Sequence, residues 1–217
     1  MNGGASETLL LVGAAVAAAS AGLAVIVAHR FVTPSQARVA GTIAAAAAFA
    51  ATGWALAVMP TLPLFLVTAV LAWTLAVLGT IDAFTLRLPD ALTLPLIAAG
   101  AADCWLLPGR PIIAHVAGAI GAYALMAGLA WAFRRFRGRD ALGLGDAKLM
   151  AAAAAWLGPA ALPSLVLLSC GAAIAWIFAH AAWQGRQALA QRIAFGVPLA
   201  LAIWITWLYG ALIPIGG

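Results

Sequence analysis

Apolar residues run through this chain in long blocks separated by short polar stretches. The pattern is neither the alternation of a half-buried strand nor the single apolar stripe of a surface helix. Eight blocks stand out, at residues 8–29, 38–59, 62–81, 91–107, 112–133, 146–158, 160–182 and 194–213. A helix needs about 20 apolar residues to cross the hydrocarbon of a bilayer. The blocks therefore predict an all-α fold, a polytopic transmembrane helical bundle of about eight spans. The sixth block is short, and Gly158-Pro159 parts it from the seventh. It is expected to tilt, or to begin inside the membrane in a water-filled cavity, where irregular backbone is tolerated. The alanine runs Ala44–Ala48 and Ala151–Ala155 are expected to be packing surfaces, because small residues let helix backbones approach closely. No soluble domain, long linker or internal repeat interrupts the pattern, so residues 1–217 are read as a single transmembrane domain. The stretch Met1 to Thr8 has no basic residue, so the first block is expected to be a retained span, not a cleaved signal peptide.

Composition supports membrane residence. The 217 residues are 66% hydrophobic and 8% charged, against about a quarter charged in soluble domains. Mean hydropathy is +1.09. The net charge of +5 does not imply nucleic acid here, because in such a chain the placement of the basic residues sets orientation. Alternate connections carry Arg30 and Arg38, then Arg87, then Arg134, Arg135, Arg137, Arg139 and Lys148, then Arg186 and Arg192. The opposite set holds Arg110 alone. The positive-inside rule places the first set in the cytoplasm and both termini outside. Trp54, Trp105 and Trp156 then fall near outer ends and Trp131 and Trp183 near inner ends, as in an aromatic belt. Cys104 and Cys170 read as small apolar core residues, and with His29, His115 and His180 they form no metal-ligand spacing. His29 is expected at the inner interface and the other two histidines in helix packing.

The chemistry is expected among the acidic residues Glu7, Asp82, Asp90, Asp103, Asp140 and Asp146. Glu7 and Asp103 fall at outer ends, where a solvated interface explains them, and Asp140 adjoins Arg134–Arg139, where a surface ion pair does. Asp82 closes the third span in Gly79-Thr80-Ile81-Asp82, and Asp146 opens the sixth in Gly143-Leu144-Gly145-Asp146-Ala147-Lys148. One outward and one returning span between them bring both carboxylates to the cytoplasmic boundary. Two carboxylates sharing a site cannot both ionise easily, so one keeps its proton. The ionised partner then takes a proton from water while the other polarises a peptide carbonyl. Ionisable groups at membrane depth are functional candidates. A plain helix-end role competes, above all for Asp146, which meets the positive end of a helix dipole. On position alone the two readings weigh evenly. Gly143 and Gly145 tip the balance, because glycine permits the close backbone approach that an extended substrate needs.

Three blocks carry a resemblance. They are Ile81-Asp82 with Leu88-Pro89-Asp90-Ala91-Leu92-Thr93-Leu94-Pro95-Leu96; Gly143 to Met150 continuing to Ala155-Trp156-Leu157-Gly158; and Arg192-Ile193-Ala194-Phe195-Gly196-Val197-Pro198-Leu199-Ala200. Together, over about residues 79–200, they resemble the type IV prepilin peptidases, a family of GxGD intramembrane aspartyl proteases. Residues 1–60 hold two spans with no matching motif. The resemblance implies an enzyme of a bacterial inner membrane that cuts the basic leader from prepilins or pseudopilins at the cytoplasmic face. Asp82 and Asp146 would be its catalytic dyad, with Gly143, Gly145 and Lys148 as supports. Lys148 is equally well explained by the positive-inside bias. Asp90 is expected to cap the fourth span. The family's long form has a cytoplasmic insertion with four cysteines and also N-methylates its product. Here only Arg30 to Ala37 is available at that place, so the expectation is peptidase activity alone. No metal or organic cofactor is implied. An ion-coupled transporter using Asp82 and Asp146 is the competing reading, but it predicts two similar halves with broken helices and leaves the first and third blocks unexplained. A presenilin-like protease fits less well, since Ile81, not Tyr, precedes Asp82. A non-catalytic assembly partner would tolerate replacement of both aspartates.

Overall fold

A computed structural model describes residues 3–107, 109–138, 143–185 and 193–212, with side chains omitted at 3–9 and 184. Among the described residues there are eight α-helices, one short 3₁₀ turn and no strand. The helices are α1 (Gly3–Phe31), α2 (Ala37–Val58), α3 (Leu62–Thr85), α4 (Asp90–Leu106), α5 (Ile112–Arg137), α6 (Leu144–Leu157), α7 (Leu162–Gln184) and α8 (Gly196–Tyr209). They follow the eight apolar blocks in order. Five of them, α1, α2, α3, α5 and α7 (the last with the 3₁₀ turn before it), are long and apolar enough to cross a membrane. The other three are shorter. At 14 residues, α6 rises about 21 Å, less than the roughly 30 Å of a hydrocarbon core. The chain divides into two compact units, Met1–Thr85 and Leu86–Gly217.

In the first unit α1 and α2 form an antiparallel hairpin. A Cβ at Gly13 would collide with Leu56, Ser20 Oγ lies 3.4 Å from Thr52 Oγ1, and a Cβ at Gly41 would meet the His29 ring. Small residues make this contact: Ala24, Ala28, Ala40, Ala44, Ala48 and Ala55 are fully buried. α3 packs on both helices. Its threonines would be orphan hydroxyls in a dry interior, so they bond back to the preceding turn. Thr74 donates to the Val70 carbonyl and Thr80 to that of Ala76, each at 2.8 Å.

In the second unit α6 is the axle. It packs on α4, α5 and α8, and every residue from Leu149 to Trp156 is buried. The expected Ala151–Ala155 surface is thus a packing surface on all sides. α4 runs parallel to α6, with Asp90 beside Lys148 at one end and Gly100 beside Trp156 toward the other. A Cβ at Gly100 would come within 2.9 Å of the Trp156 backbone nitrogen, so glycine sets the helix spacing here. α5 runs the opposite way, its early residue His115 bonding Nδ1 to the Ala155 carbonyl oxygen at 2.9 Å.

Three expectations need correction. Asp103 is not at a solvated interface. It is 1% exposed and paired with Arg110 of the following turn. Trp156 is not a belt residue, because its ring is buried and its Nε1–H donates to the Leu96 carbonyl at 2.8 Å. Cys104 is buried as expected, but Cys170 lies on the exposed face of α7. The other four tryptophans of the proposed belt, Trp54, Trp105, Trp131 and Trp183, are all exposed. His115 is buried in helix packing, and His180 stacks on Trp176 along α7. Asp140, Arg139, Arg186 and Arg192, and the side chain of Glu7, lie outside the described residues.

Candidate active site

Asp82 sits in the last turn of α3, in the first unit, with 4% of its surface exposed. The helix ends three residues later at Thr85, and the chain leaves through Leu86, whose φ of +53° is unusual for a branched residue.

In the second unit the structure joins two of the sequence blocks. Gly143 is the N-cap of α6, and Asp146 lies in the first turn, its backbone N–H donating to the Gly143 carbonyl at 3.1 Å. Asp146 is half-buried. Neither Gly143 nor Gly145 has positive φ, so their role is room, not conformational licence. A Cβ on Gly145 would lie 2.9 Å from the Cβ of Leu88, closer than two carbons can pack. A Cβ on Gly143 would lie 3.1 Å from Oδ2 of Asp146. The Leu88-Pro89-Asp90 segment thus rests against the turn that carries Asp146.

The second contact between these blocks is ionic. Lys148 Nζ donates to Oδ1 of Asp90 at 2.5 Å. The expectation that Asp90 caps α4 is therefore corrected. The cap position is Pro89, with φ −70° and ψ 135°, and no side-chain cap bond forms. Proline's fixed φ suits a helix entrance, and it moves Asp90 one place inward, where the carboxylate turns to Lys148. Lys148 thus has a specific partner in the Pro-Asp segment. Sequence reasoning could not find this pair, because the residues lie 58 positions apart.

The opposite end of the second unit holds a polar cluster that the sequence reading missed. Arg110 Nη1 donates to Asp103 Oδ2 and, at 3.2 Å, to the Trp156 carbonyl, and its guanidinium lies 4.8 Å from the ring centroid of Trp207. Trp156 and Trp207 meet edge to face at 5.4 Å. This cluster ties the α4–α5 turn to the ends of α6 and α8. The signal was present in the sequence: Arg110 is the sole basic residue of its set, seven positions after an acid.

These features define a helical membrane bundle whose Gly-x-Gly-Asp turn is braced by a Pro-Asp-containing segment. The chain belongs to the type IV leader peptidase family, whose sequence pattern matches residues 69–179. Among curated proteins it is 41% identical over 127 residues to a prepilin leader peptidase/N-methyltransferase of Burkholderia pseudomallei, a match covering 57% of this chain and 40% of that protein. A protein of the same name from Dickeya chrysanthemi is 42% identical over 121 residues, covering 53% of this chain and 40% of its own length. One from Aeromonas salmonicida is 40% identical over 124 residues, covering 57% and 42%. The matched region thus spans about two fifths of these relatives. No solved structure matches the chain at a significant level.

Proposed function

We propose that this protein is an intramembrane aspartyl endopeptidase that removes the leader peptide from type IV prepilins or pseudopilins, with Asp82 and Asp146 as its dyad. One carboxylate, ionised, takes a proton from a water molecule as that water attacks the scissile carbonyl. The other, protonated, donates to the carbonyl oxygen. The protons are shared by the pair, so neither residue has a fixed role. Collapse of the tetrahedral species expels the amine of the mature pilin, which takes a proton from the dyad. The chemistry takes place at the cytoplasmic face of a bacterial inner membrane, the side to which the basic connections point.

The observation that carries this reading is the braced turn. In a chain of the leader peptidase family, Asp146 stands on a glycine-flanked helix start held against the Leu88–Asp90 segment. The relatives' names include an N-methyltransferase activity. We assign this chain the peptidase step alone, because it offers no cysteine between Arg30 and Ala37.

The test is cleavage of a co-expressed prepilin in membranes, with the new N-terminus read by mass spectrometry. The wild type is expected to cut after the leader glycine and leave the product unmethylated. Asp82→Ala and Asp146→Ala, still inserted in the membrane, are each expected to lose at least about 10²–10⁴-fold in rate, the scale of general acid–base catalysis. Retained cleavage in either variant removes that aspartate from the mechanism. A wild type silent on pilin-like substrates reopens the transporter reading.

A further inference from the structure

The Asp90–Lys148 ion pair has no part in the chemistry just described, and it does little for stability. The Asp90 side chain is 60% exposed and that of Lys148 22%, and ion pairs so open to solvent stabilise a fold weakly. Its placement is more telling. Lys148 lies one turn into α6, where a cation faces the unfavourable positive end of the helix dipole. Asp90 is the first residue of α4, where an anion is favoured. Lys148 therefore has a fixed reason to reach toward Asp90. Residues two apart on a helix point to different faces, so Lys148 and Asp146 project away from each other.

Two contacts bracket Asp146. On its N-terminal side Gly145 rests on Leu88, and on its C-terminal side Lys148 holds Asp90. A helix held at two points near its start, on either side of one residue, resists both rotation and sliding at that residue. We propose that Asp90 is a positioning residue for Asp146, acting through Lys148, and that the charge pair itself, more than either residue's identity, is what the site requires. This rests on the peptidase reading above for its activity readout.

The experiment compares prepilin cleavage by the full chain in detergent-solubilised membranes for wild type, Asp90→Asn, Lys148→Gln, Asp90→Glu and the exchanged double variant D90K/K148D. Displacement of a reacting group by about an ångström can lower rates roughly a hundred-fold. Asp90→Asn and Lys148→Gln are therefore expected to lose roughly ten- to a hundred-fold in kcat, with KM changed less than about two-fold. Asp90→Glu and the exchanged pair are expected to recover most of that loss. Full activity in Asp90→Asn, or an exchanged pair no better than the worse single variant, overturns the proposal. A second readout does not depend on the substrate: the rate at which a hydrophobic carbodiimide modifies Asp146, followed by peptide mass spectrometry. That rate is expected to change several-fold in Asp90→Asn and to return in the exchanged pair. If the wild type cleaves no prepilin, the peptidase reading fails. The carbodiimide rates then decide this inference alone, and an unchanged rate in Asp90→Asn sinks it.

Discussion

Gly145 carries one of the sharper constraints in the second unit. The atom it would strike is the Cβ of Leu88, not the mobile end of that side chain. Gly145→Ala is therefore expected to push the first turn of α6 off its support, at a cost of about 1–3 kcal/mol, and to lower prepilin cleavage at least ten-fold. Shortening the neighbour to alanine keeps the offending atom, so Leu88→Ala should not rescue the variant, whereas Leu88→Gly should do so in part. Cleavage and thermal unfolding of the two double variants check this, and rescue by Leu88→Ala would refute the contact. The glycines were legible in the sequence as points of close approach, but what approaches them was not. The same holds for Asp90: an acid ahead of an apolar run looks like a cap, and only the folded chain brings Lys148 within reach. Asp103 was misread because an acid at a helix end is ordinarily solvated, and the turn that buries it is made by residues outside its own helix.

The eight helices were legible as elements because each is an apolar block bounded by proline, glycine or charge. α6 was visible as short, and its full enclosure follows from a run of alanines that has no polar side to present. What the sequence could not give was pairing, namely that α4 and α6 run parallel and that the α4–α5 turn reaches the far ends of α6 and α8. Arg110 makes that last connection. Arg110→Ala would leave Asp103 buried without its cation, and removing one partner of such a pair typically costs about 3 kcal/mol or more. The loss is expected as a lower midpoint in thermal unfolding of the detergent-solubilised protein. Adding Asp103→Asn should restore part of it, since an amide does not carry the uncompensated charge. An unchanged midpoint for Arg110→Ala would mean that solvent already screens the pair.

At the scale of the molecule, the family, the all-helical architecture and the membrane character were readable from composition and three motif blocks. In the second unit the start of α4, the start of α6 and the basic end of α5, with Arg134, Arg135 and Arg137, lie at one end, and Arg110 at the other. On the proposed reading, the positive-inside rule puts the first end in the cytoplasm. A phosphatase fused after Gly109 is expected to be active on the side of the membrane away from the cytoplasm and one fused after Gly138 inactive. The reverse pattern would invert the topology and remove the cytoplasmic assignment of the site.

The enclosure of α6 has a consequence for how this chain can vary. A helix of small residues packed on every side by α4, α5 and α8 leaves no direction in which an added methylene finds space. On α7, by contrast, Val166, Leu167, Ile174 and Phe178 face outward and are open to any apolar replacement. Tolerance to substitution should therefore follow position around the bundle more than distance along the chain from Asp146. The narrow central helix would drift slowly in sequence, while its long outer neighbours exchange one hydrophobic residue for another freely.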